Sequence, residues 1–281
     1  VLQISSIKLM KYFITYGDAS FSEYRKQIVK EVESTKLFDK IIAYSHEDLG
    51  KDILSSAAFN FKKGGGYWSW KPYIIDKTLE KMSENDILVY CDVGCTISKS
   101  KKWNKLFDYT ESSDIVGSLI QGTNIKWCRN NVLKYFISNG NCWPFFSHVS
   151  ASHLFIKKNS KTSLFIKKWK KLSITRPDLL LDVPQNEIKN ESIFFKENRA
   201  DQSILNGLIY NNIETMKIKL IWSNFDNRSF FKRPIEITRK WRKQEPLLSG
   251  VFKHFCYSIL NKVCYNPKFR ILLFLNKIRL K

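Results

Sequence analysis

The run Asp86–Ile97, reading DILVYCDVGCTI, constrains this chain more than any other segment. Its first six residues are apolar after the leading acid, which suits a strand buried on both faces of a sheet rather than one half-exposed to water. The strand then stops at Asp92-Val93-Gly94. An acid in that place sits at the carboxyl end of a strand, the edge where open α/β sheets bind their ligands. The residues before it agree with such a sheet. Tyr12–Tyr16 reads as a first strand ending at Gly17-Asp18, with a helix from about Phe21 to Glu33 capped by Ser20 or Ser22, and a second strand at Lys40–Tyr44. A β-α-β opening predicts parallel strands with helices laid on the faces.

The alternation continues. Pro72 is expected near the first turn of a helix reaching about Met82. Further helices are expected over Ser98–Tyr109, Lys161–Leu172 and Asp201–Tyr210, and further strands over Asp114–Leu119, Val149–Ile156 and Lys217–Ile221. The Lys161–Leu172 helix is expected to turn Leu164, Phe165, Trp169 and Leu172 inward. Pro177–Asn198 is a long connection of weak pattern, a kind that often carries function.

Three segments carry chemistry. Asp92 could hold a divalent cation or a ribose against a leaving diphosphate. Lys62–Pro72, KKGGGYWSWKP, combines three glycines, which let a backbone come close to a ligand, with aromatic rings and Lys71, which could meet a phosphate. It lacks the GxxxxGK[ST] pattern of a P-loop. Ala200–Asn206, ADQSILN, opens an apolar helix with Asp201 and Gln202; an acid there is commonly a cap, but an acid beside an amide also suits sugar hydroxyls. His148 and His153 could bind acceptor or metal, but a lone histidine by a strand is more often simply packed or exposed, so neither is taken as a site residue.

In this order, the three segments resemble bacterial GT-A-type glycosyltransferases of capsule and O-antigen synthesis that carry GGGYWxWKP, a strand ending in Asp-x-Gly-Cys and a later Asp-Gln-Ser helix. ADQSILN is also similar to a segment of the retaining galactosyltransferase and glycogenin-like group. The resemblance covers roughly residues 11–221. It implies a GT-A-like (Rossmann-like), mostly parallel sheet flanked by helices. It implies an enzyme moving a hexose, galactose-like by default, from a UDP-linked donor to a saccharide or lipid-linked acceptor, with a lean toward retention. By the same resemblance Thr15, Tyr16, Gly17, Gly65, Gly66, Tyr67, Trp70, Lys71, Asp92 and Gly94 would line the donor site, and Asp92, Asp201 and Gln202 would be catalytic. Asp92 matches the first acid of the family's DxD. The second is Gly94 here, so Asp92 is the one candidate protein ligand for manganese or magnesium and a metal requirement is in question, although a cation could still be held by Asp92, the diphosphate and water.

Charge divides the chain. The formal net charge is +21, and residues 228–281 hold 14 Lys/Arg against two acids, +12 of that total. The expected organisation is a short extension over 1–9, a catalytic domain over 10–227 and a basic, aromatic, helical tail over 228–281. Helices at Val251–Val263 and Phe269–Arg279 in that tail would lie on an anionic membrane, placing the protein peripherally on the cytoplasmic face of an inner membrane. Another nucleotide-dependent transferase is an alternative, although a nucleotidyltransferase should show a basic Gly-rich loop right after the first strand, which Tyr16–Ser20 does not supply. Charge of this kind also suits nucleic acid. No zinc knuckle or RRM signature occurs, however, and the charge sits at one end, so no nucleic-acid partner is expected. Cysteines 91, 95, 128, 142, 256 and 264 show no CxxC spacing and read as free thiols in a reducing compartment.

Overall fold

The computed structural model of the 281-residue chain describes residues 9–137, 142–222 and 234–237. The expected tail helices, the proposed membrane contact, Cys256, Cys264 and nearly all of the 1–9 extension lie outside the described residues.

Strands β1 (Lys11–Tyr16), β2 (Lys40–Tyr44), β3 (Ile87–Cys91), β5 (Ile115–Thr123), β6 (Ser147–Val149), β7 (His153–Lys157) and β8 (Ile218–Trp222) form one sheet. Its order is β2-β1-β3-β7-β5-β6, with β8 on the other side of β5. β1, β2 and β3 are mutually parallel, and β8 runs parallel to β5. β7 opposes both β3 and β5, and β6 opposes β5. Five strands therefore share one direction, the α/β arrangement expected. A second ribbon joins β4 (Cys95–Ile97) to β9 (Ile235–Ile237).

Helices α1 (Ser22–Thr35) and α3 (Lys102–Glu111) cover one face; α2 (Trp70–Leu79), α4 (Ser160–Thr175) and α5 (Ala200–Asn212) cover the other. The period-two alternation of a strand decides which residue meets which layer. In β3, Ile87, Val89 and Cys91 join Trp103 and Val32 in one core, while Leu88 and Tyr90 join Ile75, Trp169 and Leu205 in the other. Burial of each such side chain contributes about 1.5–3 kcal/mol. Continued one step, the alternation gives Asp92 the parity of Tyr90 and sends it toward the α2/α5 layer.

Several boundaries differ from expectation, each for a local reason. α2 begins at Trp70, two residues before Pro72, because Ser69, directly after the left-handed turn, already takes a right-handed conformation. The strand expected over Val149–Ile156 is two strands, interrupted at residues 150–152, where Ser150 Oγ bonds Ser152 Oγ at 2.7 Å. α3 starts at Lys102 because Cys95–Ile97 is first drawn into the ribbon with β9. Asp18 receives Ser20 N ahead of α1, so neither expected serine is the cap. In α4, Phe165, Trp169 and Leu172 are buried as expected, but Leu164 is 72% exposed; Ile166 takes the inward place. Among the described residues, no helix is long and apolar enough to cross a membrane.

Candidate active site

The glycine segment makes a turn of unusual hand. Gly64, Gly65, Gly66, Tyr67 and Trp68 all have positive φ, between 54° and 93°. Tyr67 N and Trp68 N donate to Lys63 O and Gly64 O at 2.7 and 3.2 Å, so this is one turn of left-handed helix with i→i−4 bonding. Residues with a Cβ lose roughly 1–2 kcal/mol each in that conformation. Strain of that kind persists where the surroundings hold it, and it clusters at functional sites. Here Tyr67 Oη donates to Asp182 at 3.0 Å, Lys63 Nζ reaches both Asp182 carboxylate oxygens at 2.7 Å, and Trp70 Nε1 donates to Gly64 O at 3.0 Å. Trp70 also stacks on Tyr16, with centroids 4.0 Å apart, which joins the turn to the end of β1.

That turn sets Lys71 as the second residue of α2, pointing into the protein. Its ammonium is 3% exposed and lies 3.0 Å from Asp201 Oδ2, 3.3 Å from Asp92 Oδ1 and 3.0 Å from Ala151 O. Ala151 O accepts a hydrogen bond from the ammonium, while the two carboxylates are held to it as ion pairs, Asp201 Oδ2 without the geometry of a hydrogen bond. Lys71, expected near the donor, is buried and ion-paired with the two acids it lies between.

Asp92 leaves β3 held at both ends. Its N–H donates to Ser152 O at 2.7 Å, and its Oδ1 accepts the Tyr90 hydroxyl. The side chain keeps 33% exposure, which opens it to a ligand. Asp201 is different, with only 4% of its side chain exposed. Burial pushes its carboxyl up to about 6, against the pull of Lys71 and with a further push from Asp92. Burial also opposes the charge on Lys71, but Asp201 and Asp92 outweigh it and hold the ammonium above its ordinary range. Burial and Asp92 push the Tyr90 hydroxyl far up, so it stays a donor.

Gln202 completes the cluster. Its Oε1 accepts Ala151 N at 3.1 Å, and its Nε2 is buried with no protein partner. Ala151 thus links the two polar residues, giving its N–H to Gln202 and its carbonyl to Lys71. The start of α5 is itself strained: Ala200, 1% exposed, has φ +47°. The remaining expected residues border the same edge of the sheet. Thr15 is fully buried with an unpartnered hydroxyl, and Gly17 closes β1 by donating to Tyr44 O at 3.1 Å. A Cβ on Gly65 would stand 3.7 Å from Trp70 Nε1 and 3.8 Å from Asp18 Oδ2, so the open side of the turn faces the end of β1. Gly66 is closed by Phe59, and Tyr67 turns toward Asp182.

The site's other members escape a reading by residue type. Ala151 and Ser152 act through their backbones. Tyr90 had a signal, since residues two apart on a strand share a face. His148 and His153 are buried and bonded, to Asn124 at 2.7 Å and Ser118 at 2.7 Å, and burial lowers both from the usual histidine range. Trp127 is core, donating to Gln121 O at 3.0 Å. The four described cysteines are free thiols.

For a divalent cation the described side chains of this site offer one open carboxylate, so any further ligands would have to come from the donor phosphates and water. Manganese and magnesium favour six oxygen ligands. Gly94 offers no side-chain oxygen, Asp201 is occupied by Lys71, and Asp92 alone is open. Among the described residues, no group of three or more His, Cys, Asp or Glu is placed to hold a metal.

No protein-family model and no curated protein matches the chain. Solved structures do. The galactosyltransferase LgtC, in complex with donor and acceptor sugar analogues, is 15% identical over 77% of this chain and 75% of its own, with a TM-score of 0.39. The bifunctional glycosyltransferase WbbM is 9% identical over 78% of this chain and 40% of its own, at 0.46. The glycosyltransferase GlyE of Streptococcus pneumoniae is 13% identical over 78% and 47%, at 0.42.

Proposed function

We propose that this protein is a glycosyltransferase that takes a sugar from a nucleotide diphosphate donor. The observation that carries the reading is the convergence of Asp92, Asp201 and Gln202 around Lys71 at one edge of the sheet. Those residues come from the three separate segments whose order resembles GT-A-type glycosyltransferases, and they meet where α/β sheets bind ligands.

Each group has work to do in such a transfer. The bond between the anomeric carbon and the diphosphate oxygen breaks, an acceptor hydroxyl bonds to that carbon, and its proton passes to the departing diphosphate. The charge that develops on the sugar and on the leaving diphosphate is what a preorganised polar site stabilises. Gln202 Nε2 is a buried donor awaiting an acceptor, suited to a sugar oxygen. Asp92, partly open, faces the donor's ribose or sugar. The open side of the left-handed turn at Gly65, opposite Asp18, receives the nucleotide. A UDP-linked hexose, retention of configuration, a saccharide or lipid-linked acceptor in surface polysaccharide synthesis, and attachment to the membrane through the basic 228–281 segment are the finer parts of this proposal. They rest on the resemblance and on the charge.

The test is thermal denaturation of the full chain with UDP-, GDP-, CMP- and dTDP-sugars. One nucleotide series is expected to raise the melting temperature. Stabilisation by none, together with RNA binding of steep salt dependence, would replace this reading with that of a nucleic-acid-binding protein.

A further inference from the structure

A GT-A-like site asks for a cation beside its first acid, and the chain's own arrangement answers that demand in an unexpected way. An ammonium already occupies the space between Asp92 and Asp201, 3.3 and 3.0 Å from their oxygens. A metal ion bridging those acids would need the same space and the same lone pairs. It would also stand a few ångströms from a buried positive charge, with little water to screen it. Meanwhile Gly94 removes the side chain that would hold a metal on the outer side.

We infer that Lys71 is the resident cation of this site and that the donor binds and reacts without a divalent metal. The inference rests on the glycosyltransferase reading and goes beyond it by assigning a role to Lys71. That role is positional. Lys71 donates to Ala151 O and is ion-paired with Asp92 and Asp201, and with 3% of its side chain exposed it is turned toward those acids rather than toward solvent. It reduces the charge of the two carboxylates from −2 to −1 before an anionic donor arrives, and it fixes the end of β3 against the start of α5. Tyr90 completes the arrangement by occupying Asp92 Oδ1 with a hydroxyl rather than leaving it to a metal.

The experiment uses the full chain stripped with EDTA and measures the melting shift caused by the best nucleotide sugar, with EDTA and then with manganese. The expected result is the same shift in both. A shift that appears only in manganese overturns the inference and leaves the glycosyltransferase reading standing; no shift in either condition overturns that reading and this inference with it. Lys71→Met sharpens the assignment: its donor-induced shift should vanish in EDTA and return in part with manganese, because the two acids are then free to share a metal. An undiminished shift for Lys71→Met in EDTA would show that Lys71 is not the cation concerned. If that variant does not fold, the comparison on the unaltered chain still decides.

Discussion

Tyr90 donates its hydroxyl to Asp92, two residues further along the same strand and on the same face. The bond comes from inside the core, so the acid is aimed from behind while its other side stays open. Tyr90→Phe removes the bond and keeps the ring's packing. We expect donor hydrolysis or transfer to fall about tenfold, equivalent to about 1.4 kcal/mol, with little change in melting temperature. Unchanged turnover would mean that Asp92 needs no aiming.

Asp92→Ala tests the acid itself. Its side chain is partly exposed, so its loss should leave the fold intact and abolish transfer. Near-normal turnover would remove Asp92 from the mechanism.

Asp201 predicts a pH dependence. Its carboxyl titrates near 6 in the folded protein against an ordinary value of 3.8. The folded state therefore holds the proton more tightly than the unfolded one, and the stability this contributes is complete below the unfolded value and lost as pH rises through 6. Asp201→Asn cannot titrate. Melting curves of the two proteins should differ in slope between about pH 4 and pH 6.5 and run parallel above that window. Parallel curves throughout would show that Asp201 titrates normally.

Ala200 offers a stabilising substitution. Its φ of +47° carries strain of roughly 1–2 kcal/mol, while glycine would add about 0.5–1 kcal/mol of chain entropy to be lost on folding. Ala200→Gly should raise stability by up to about 1 kcal/mol in urea denaturation. A clear loss would show that the Ala200 methyl packs better than its backbone suffers.

The glycines of the left-handed turn should separate. On Gly66 a Cβ would come within 2.7 Å of the Phe59 ring, whereas on Gly65 nothing lies nearer than 3.7 Å. Both alanine variants bear the backbone strain, and Gly66→Ala adds overpacking of about 1–3 kcal/mol. Gly66→Ala should destabilise more, and Gly65→Ala should fold yet bind nucleotide sugar more weakly. Equal melting temperatures would contradict the packing described.

Much of this was legible in sequence because local pattern and final packing agree. Lys40–Tyr44 is a strand from end to end, and the apolar run before Asp92 lies wholly in the core. What stayed hidden was non-local or carried by backbone. Three glycines announce unusual dihedrals, but nothing in Tyr67 or Trp68 says that the left-handed coil continues through them. The ribbon of Cys95–Ile97 with Ile235–Ile237 spans more than a hundred residues of chain. The expected inward stripe includes Leu164, yet the buried stripe runs through Phe165, Ile166, Trp169 and Leu172 and leaves Leu164 on the outer face. Residue type alone also could not show that Lys71 would be buried between two acids from distant segments.

The contacts of Lys71 reach residues 92, 151 and 201. The site therefore requires segments from across the chain to be in place together. It does not exist in any intermediate built from one half of the chain, because its parts belong to loops closed over distances of 21 to 130 positions. Nucleotide binding then becomes a certificate of complete folding, something a refolding experiment can count molecule by molecule. A chain cut within the surface connection before Asn198 should recover that certificate only when both pieces are present together.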